Sequence, residues 1–368
     1  MTHAEPEKND AAMPGTHRAS IKDIARLAHV SHSTVSRALA NSSLVNTETA
    51  ERIRRLAQQA GYCPSAVARS LVTRSTRTIG VVVTNIADPF VAEVVEGIES
   101  AANDRDYSVF LANSNADPAR EVKAVRSFHE RRVDGIIVTA SRVGAVYLPM
   151  LSEMRAPIVL VNNQHPSEFV HSVTIANFEA ARDITRHLIE EGHSRIAYIG
   201  DQLGGQSDTE RFEGYRAALD EAGVPFEAEL AVRGNGRAEG GVDAACALLE
   251  IAAPPTAIFC YNDMTAIGAL RAIHARHWRV PRDISLAGFD DLYLAQYTDP
   301  PLTTVRQPMR EMGRIALDTL FALMRGATTP HSIKVPGQLV VRESTGPNTK
   351  EGLECSSYSF SPHRMAAK

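Results

Sequence analysis

Residues 28–40 of the chain read AHVSHSTVSRALA. The end of one helix, a short turn and the start of a second helix fit into these thirteen positions, which is the spacing of a helix-turn-helix. The second helix carries short polar side chains and one guanidinium near its N-terminal end, where a recognition helix meets base edges and phosphates. We assign DNA contacts to these side chains: Ser31, His32, Ser33, Thr34, Ser36 and Arg37. The pattern alone also fits a serine-rich, capped surface helix.

The sequence on either side of this motif completes a domain of three helices. Ser20 and Asp23 have the spacing of a capping box that opens the helix IKDIARLA. Ser31 is the expected cap of TVSRALA, and Thr47 is that of ETAERIRRLAQQA, which ends at Gly61. Apolar side chains recur at helical spacing and are expected to form one shared core: Ile24, Leu27, Val35, Leu39, Ile53 and Leu56.

The next segment, YCPSAVARSL at residues 62–71, combines small side chains with a proline suited to the first helical position. A short helix there presents Ala68 and Leu71 on one side, and it fits a DNA minor groove with Leu71 wedged into a base step. We place Ala68, Arg69 and Leu71 in the DNA-binding set. The same residue types also fit an ordinary linker helix whose leucine packs on a neighbour.

From Thr78 onward, short β-branched segments alternate with amphipathic ones. The expected strands are TIGVVV, YSVFLA, GIIVT, PIVLV, RIAYIG, TAIFC and ISLAG, and the expected helices span residues 90–104, 117–131, 177–190, 209–222 and 263–276. This alternation indicates parallel sheet with crossover helices. The pattern occurs twice, with a break near residues 171–176. It therefore predicts two doubly wound lobes, with a ligand beyond the carboxyl ends of their strands.

Composition excludes several classes of protein. Hydrophobic residues make up 44% of the chain and charged residues 22%, which is an ordinary globular balance. No apolar run reaches the roughly 18 residues of a spanning helix, and the start of the chain lacks the basic and apolar regions of a signal peptide. We therefore expect a cytoplasmic protein that does not bind a membrane. Cys63, Cys246, Cys260 and Cys355 lack metal or redox spacing and are expected to be reduced thiols. We expect no metal and no cofactor.

Charge is distributed unevenly along the chain, whose formal net charge is −4. Between Arg18 and Arg77, ten Lys or Arg residues stand against three acidic ones, which leaves +7 in this segment and −11 in the rest. A basic N-terminal segment followed by an acidic remainder is typical of a protein that binds a polyanion at one end. A solvated basic surface would give the same distribution.

Taken in order, these motifs resemble the LacI/GalR family of bacterial repressors. The resemblance covers residues 19–346 and rests on IKDIARLAHVSHSTVSRAL, GYCPSAVARSLVTRSTRTIGVVV, DPF, GHSRIAYIG, ERFEGYRAAL, ISLAGFDD, PPLTTVRQP and LVVRESTGP. It implies a homodimer, or a tetramer, that binds a pseudo-palindromic operator in double-stranded DNA. It also implies hinge helices that fold in the minor groove and a periplasmic-binding-protein-like core that senses a small molecule.

The expected fold class is an all-α helix-turn-helix headpiece followed by an α/β core of two lobes, each a doubly wound parallel sheet. The expected boundaries are tails at residues 1–18 and 347–368, the headpiece at 19–63, a hinge helix or linker at 64–76 and the core at 77–346. Within the core, the resemblance implies an N-terminal lobe at about 77–175 and 307–335 and a C-terminal lobe at about 176–306 and 336–346.

The resemblance also implies individual roles in DNA binding. His32 and Ser33 choose bases in the major groove, and Arg37 adds a contact from the second turn. Leu71 is the minor-groove wedge, while the other polar residues of the second helix contact phosphates or base edges. One departure is His29, because relatives usually have glycine at this turn position and a left-handed backbone costs more for histidine.

In the core, the matching positions that line the effector cleft are Asp88, Phe90, Arg211, Asn262 and Asp290. Arg211 offers a planar fork of donors, Asp290 accepts two hydroxyls, and Phe90 supplies an apolar surface. Together these groups suit a sugar or another small polyol-like or polar ring. Asp88 and Asp290 also fit helix caps, as does Asp263 beside Asn262.

A second departure lies in RGNGRAEGG at residues 233–241. Many relatives have an aromatic residue there that stacks on the ligand, whereas this chain has Gly236. Stacking from that side is therefore absent or supplied elsewhere. Asn113, Thr139 and Ser141 at strand ends are further polar candidates, or turn residues.

These features predict a sequence-specific DNA-binding transcriptional repressor whose operator affinity is controlled by a small molecule, with a sugar or sugar derivative as the expected effector. Three other functions fit parts of the sequence. A nucleotide-binding enzyme is excluded, because the loop from Gly234 to Gly240 is one residue longer than the dinucleotide fingerprint and no other catalytic motif occurs. A solute-binding protein shares the two-lobed core but not the basic helical front. A regulator that answers mainly to a protein corepressor fits the same sequence.

Overall fold

A computed structural model describes residues 19–62, 75–141, 143, 154, 156–163, 171–203 and 205–349. The chain divides into two compact units, Met1–Thr76 and Arg77–Lys368. The expected N-terminal tail, nearly all of the hinge and most of the C-terminal tail lie outside the described residues. The DNA contacts predicted for Ala68, Arg69 and Leu71 lie there too.

The first unit contains the three predicted helices: α1 Ile21–Leu27, α2 His32–Leu39 and α3 Thr47–Gln59. The capping box at the start of α1 is confirmed, since Ser20 and Asp23 each accept a hydrogen bond from the other's backbone N–H. Ser31 caps α2 as predicted, although the helix begins at once at His32. The cap predicted for α3 was wrong by one position, because Asn46 Oδ1 accepts the N–H of Glu48 at 2.9 Å.

The core of this unit is small and rich in alanine. Ile24, Val35 and Ile53 are fully buried together with four alanines, and Leu39 and Leu56 pack against them from its edge. Leu27, predicted to be buried, is instead 55% exposed. Ile24 and Ala28, which lie one helical turn apart, form the buried face of this helix, and Leu27 lies outside that face.

Within the described residues, the second unit is built from twelve strands and seven α-helices, with two short 3-10 helices at Ala228–Leu230 and Tyr293–Tyr297. In chain order the strands are β1 Thr78–Val83, β2 Ser108–Asn113, β3 Gly135–Thr139, β4 Ile158–Val161, β5 Ser172–Ile175, β6 Ile196–Asp201, β7 Ala231–Gly234, β8 Ala257–Cys260, β9 Ser285–Ala287, β10 Thr304–Arg306, β11 Ser332–Val335 and β12 Gln338–Val340. The helices are α4 Pro89–Asn103, α5 Pro118–Glu130, α6 Asn177–Glu190, α7 Gln206–Glu221, α8 Ala238–Glu250, α9 Asp263–Ala275 and α10 Met309–Met324.

These strands form two parallel sheets, which confirms the predicted fold class. The first has the order β11-β5-β4-β3-β1-β2 and the second the order β7-β6-β8-β9. The central strands are buried throughout, as expected when helices cover both surfaces of a parallel sheet. The antiparallel pair β10–β12 lies where the chain passes between the sheets.

Several elements were not predicted from the sequence. The expected break near residues 171–176 contains β5, which pairs between β4 and β11. The glycine-rich start of α8 has low helix propensity, yet a Cβ at Gly241 would collide with the backbone of Thr265 in α9. Glycine is therefore required there by the close approach of the two helices. Among the described residues, no helix has the length and apolar character that crossing a membrane requires.

Candidate functional sites

A polar cleft of about 510 Å³ opens beyond the carboxyl ends of the strands in both sheets. All five residues that the sequence assigned to an effector site line it: Asp88, Phe90, Arg211, Asn262 and Asp290. The three further candidates do not line it. Thr139 donates to the carbonyl of Val82, and the Ser141 hydroxyl donates to Glu121 Oε1 at 2.5 Å. Asn113 ends β2, and its side chain accepts the N–H of Asn115 in the turn that follows.

Arg211, on α7, is a buried cation held by several neighbours at once. Its Nε donates to Asn177 Oδ1 at 2.9 Å, and its Nη1 donates to the carbonyl of Tyr261 at 2.6 Å. The guanidinium carbon lies 3.6 Å from the ring centre of Phe289, within the range of a cation–π interaction. Nη1 also lies 3.9 Å from Asp290 Oδ1, so the fork is fixed in place before any ligand arrives.

Asp290 follows β9 and is 5% exposed. Its Oδ1 accepts a hydrogen bond from Gln307 Nε2 at 2.5 Å, and its backbone carbonyl accepts the N–H of Gln307 at 3.1 Å. Its φ of 127° is rare for a residue with a side chain, and such strain concentrates at functional sites. Burial raises the pKa of Asp290 to about 7, against the opposing influence of nearby Arg211. The described residues show no helix that this carboxylate caps.

Asp263 is a second buried carboxylate, and it acts on the turn after Asp290 rather than as a helix cap. Its Oδ2 accepts the N–H of Leu292 at 2.8 Å, and its Oδ1 accepts the hydroxyl of Thr304 at 2.6 Å. Burial, reinforced by the charge of Asp290, raises the pKa of Asp263 well above its usual value. Asp263 therefore ties the Asp290 turn to the start of α9 and to β10.

Asp88 and Asn262 both cap helices and line the cleft. Asp88 Oδ1 accepts the N–H of Phe90 at 3.0 Å at the start of α4. Burial raises the pKa of Asp88, while its backbone hydrogen bonds lower it. Asn262 Oδ1 accepts the N–H of Thr265 at 2.8 Å at the start of α9, and its Nδ2 donates to the carbonyl of Gly236 at 3.0 Å. Because these helices begin at strand ends, a capping side chain lies at the cleft by construction.

Further polar residues of the cleft were missed in the sequence. Those at strand ends are Thr84, Asn85, Asn115, Asn162, Asp201, Asn235 and Tyr261, and the others are Arg237 and Gln307. Inspecting the positions just after each predicted strand would have found most of the first group. Gln307 carries no such signal, because it lies where the chain leaves β10 and enters α10.

The first unit presents the predicted polar residues at its surface. Ser31, His32, Ser33, Ser36 and Arg37 are exposed. Thr34 is half-buried, and its hydroxyl lies 2.8 Å from Ser31 Oγ. The turn before α2 adopts the left-handed conformation at His29, with φ of 51°. A shallow depression beside it is lined by two further basic side chains that the sequence did not single out, Lys22 and Arg26.

Comparison with known proteins places both units in one family. Residues 20–65 match the model "Bacterial regulatory proteins, lacI family", and residues 185–345 match that of a periplasmic binding protein-like domain. The HTH-type transcriptional repressor PurR of Vibrio atlanticus (strain LGP32) is 37% identical over 303 residues, which cover 82% of this chain and 91% of PurR. The chain belongs to the LacI family. It is a DNA-binding transcriptional regulator of that family.

Other LacI-family members agree with this assignment. The repressor CytR of Escherichia coli (strain K12) is 34% identical over 330 residues, covering 89% of this chain and 96% of CytR. The lac repressor dimer bound to operator and the anti-inducer ONPF superimposes with a TM-score of 0.81 at 28% identity, over 89% of this chain and 99% of that one. A complex of the regulator CelR with cellobiose gives 0.68 at 32% identity, over 89% of this chain and all of that one. These relatives are named as transcription regulators rather than enzymes.

Proposed function

We propose that this LacI-family regulator is a cytoplasmic, non-catalytic repressor that binds a pseudo-palindromic operator as a homodimer and releases or holds it according to a small polar ligand in the cleft. The observation that carries the effector half is the buried Arg211–Asp290 pair with Gln307 beside it. Buried charges are costly unless they are well paired, and the separation of 3.9 Å is too long for a direct hydrogen bond, so a ligand can hydrogen-bond to both groups.

The DNA-binding half rests on the exposed polar end of α2. His32 and Ser33 stand at the N-terminal end of the helix, and Arg37 follows one turn later. This order fits base readout from the first turn and a further contact from the second. Lys22 and Arg26 add positive charge beside the helix, where phosphate contacts would fix its register on the duplex.

For the effector we propose a carbohydrate or a related polyol-like ring. Asp290 accepts hydroxyl hydrogens, Arg211 donates to ring or hydroxyl oxygens, and Phe90 offers an apolar edge. The relative CelR was solved with cellobiose, which supports this class. The absence of a side chain at Gly236 removes aromatic stacking from one wall, so hydrogen bonding must carry more of the recognition.

Control by the ligand requires a connection between the two lobes. Gln307 provides one, because its side chain and backbone both bind Asp290 while the chain continues into α10, which packs on the first sheet. We propose that a ligand on Asp290 shifts the population of lobe arrangements in the dimer, and with it the spacing of the paired hinge segments on DNA.

A thermal-shift screen of the purified protein tests the effector half. Monosaccharides, sugar acids, polyols and purines are added one at a time, since a ligand that binds only the folded protein raises the melting temperature. A compound that raises it and also changes operator binding supports the proposal and gives the sign of regulation. If no compound raises the melting temperature of a protein that binds its operator, small-molecule control loses its support. Control by a protein corepressor then becomes the better explanation.

A further inference from the structure

We propose that Asp201 and Gly236 form a separate compartment of the cleft that binds a hydrogen-bond-donating group of the effector, a hydroxyl or an ammonium, and rejects an effector with an anionic group at that end. This inference rests on the proposed small-molecule control. It adds the chemical class that one wall selects and names the residue that selects it.

The compartment exists because residue 236 has no side chain. Gly236 lies in the turn between β7 and α8 with φ of +71°. A Cβ there would lie 3.9 Å from Asp201 Oδ1 and 3.9 Å from Asn262 Nδ2. Any side chain longer than a methyl group would therefore extend into the space above these two polar groups. Glycine leaves that space open to a ligand.

Asp201 is held rigidly at the base of the compartment. It is the last residue of β6, and its backbone N–H donates to Asp208 Oδ1 at 3.0 Å. Its carbonyl accepts a hydrogen bond from Arg233 Nη1 at 2.8 Å, and the same nitrogen donates to Asp208 Oδ2 at 2.6 Å. Buried Asp208 and the more exposed Arg233, which form an ion pair, thus hydrogen-bond both backbone groups of Asp201, so its position is fixed before a ligand binds.

The side chain of Asp201 is also placed by its surroundings. Its Oδ1 accepts the N–H of Leu203 at 3.2 Å, and only 5% of the residue is exposed. An ionised carboxylate can only accept hydrogen bonds. A ligand group that meets it must therefore donate, which a hydroxyl or an ammonium does and a carboxylate or phosphate does not.

The charge of the cleft favours the same class of ligand. Its lining contains the carboxyl groups of Asp88, Asp201 and Asp290 and the two cations Arg211 and Arg237. Arg211 Nη1 lies 3.9 Å from Asp290 Oδ1, so its charge is already opposed by that carboxylate. A second anion next to Asp201 would meet like charge in a half-enclosed, low-dielectric site, and such repulsion is an effective way to exclude a wrong ligand.

The test uses the full-length protein and sets of sugars that share a skeleton but differ in charge. One set is glucose, glucosamine and glucuronate, a second is the corresponding galactose series, and a third is ribose with ribose 5-phosphate. Dissociation constants are measured by calorimetry for the wild type and for Asp201→Asn. The asparagine keeps the size and the Oδ1 acceptor for Leu203 but removes the charge. Asp220→Asn, which removes an exposed carboxylate from α7 in the same lobe, is the matched control.

In the set that contains the best ligand, we expect the neutral or amino sugar to bind at least tenfold more tightly than its acid or phosphate. We expect Asp201→Asn to reduce this preference at least tenfold and Asp220→Asn to leave it unchanged. A wild type that prefers the anion, or a preference that survives in Asp201→Asn, overturns the inference while leaving effector control intact. If no compound in any set binds the wild type, the proposed carbohydrate effector fails and the inference fails with it.

A second variant keeps the test independent of any change at Asp201. Gly236→Asn fills the compartment with a residue that tolerates a positive φ. We expect it to weaken the best neutral or amino sugar at least tenfold, with operator binding retained in the absence of sugar. Unchanged sugar affinity would show that the ligand does not enter this compartment.

Discussion

The polar residues of the two units are arranged in opposite ways. On α2 they stand in solvent over a small core in which three large aliphatic side chains are fully buried with alanines. In the cleft they are buried and hold one another, as Arg211, Asp290 and Gln307 do. An exposed side chain acts only through what it meets, whereas a buried one also supports its neighbours. Substitutions should therefore separate binding from stability on α2 and combine them in the cleft.

The largest effect is expected for Asp290→Ala. Removing this carboxylate takes away the main acceptor for the ligand, leaves Gln307 Nε2 without its acceptor and removes the carboxylate 3.9 Å from Arg211. Effector affinity should fall about 100-fold, and the free energy of unfolding should fall by about 1–3 kcal/mol. Calorimetry and urea unfolding measure the two effects, and operator binding without effector should stay at its wild-type level. A loss of effector binding with unchanged stability would contradict the interlocked cleft.

Arg37→Ala should give the opposite profile. Because the Arg37 side chain is exposed and makes no hydrogen bond or ion pair among the described residues, its loss should leave the melting temperature unchanged. Operator affinity should fall roughly 10- to 100-fold, the range of one good base contact. Fluorescence anisotropy with labelled operator measures this, with Arg55→Ala on α3 as a control for lost positive charge. Weakened effector binding in a folded Arg37→Ala protein would break the division between the two units.

Leu71→Ala tests the predicted hinge, which is neither part of α2 nor part of the cleft. A wedge that opens a base step is needed only on a site that bends, so operator binding should weaken roughly tenfold and random-DNA binding much less. Competition titrations with operator and random duplexes of equal length provide the comparison. Equal losses on both duplexes would remove the wedge role.

Effector binding in the cleft should depend on pH through Asp290. Burial raises the pKa of Asp290 to about 7, with Arg211 opposing this rise and Asp88 adding to it. The ionised form accepts ligand hydroxyls, so effector affinity should fall roughly tenfold as the pH drops from about 8 to about 6. Calorimetry across this range tests the slope, and Asp290→Asn should flatten it. Affinity that rises on acidification would mean that the protonated form binds.

The smallest effect concerns the cap of α2. Ser31 Oγ accepts the N–H of Thr34 at 3.2 Å, so Ser31→Ala should lower the free energy of unfolding of the headpiece by about 1 kcal/mol. Ser36→Ala, which removes an exposed hydroxyl within the same helix, serves as the control. Thermal unfolding of both variants measures the difference. Equal stability would show that the cap matters only for DNA contact.

Local sequence signals were reliable wherever the responsible groups lie within a few residues of each other. The Ser20–Asp23 box, the Ser31 cap and the apolar strands of the core follow from such short-range chemistry. The same signals failed where packing decides, as for Leu27, which lies off the buried Ile24–Ala28 face, and for β5, one of whose partners, β11, lies about 160 residues further along the chain.

The sequence by itself determined the headpiece helices, the alternation that produces two parallel sheets and, through the family resemblance, five residues that line one cleft. Only the tertiary structure decided that Asp201 is clamped by Asp208 and Arg233, and that Gln307 reaches Asp290. Helix caps and apolar periodicity depend on neighbours within about four residues, so a sequence displays them directly. The cleft depends on strand ends brought together from opposite lobes, and that proximity exists only in the folded chain.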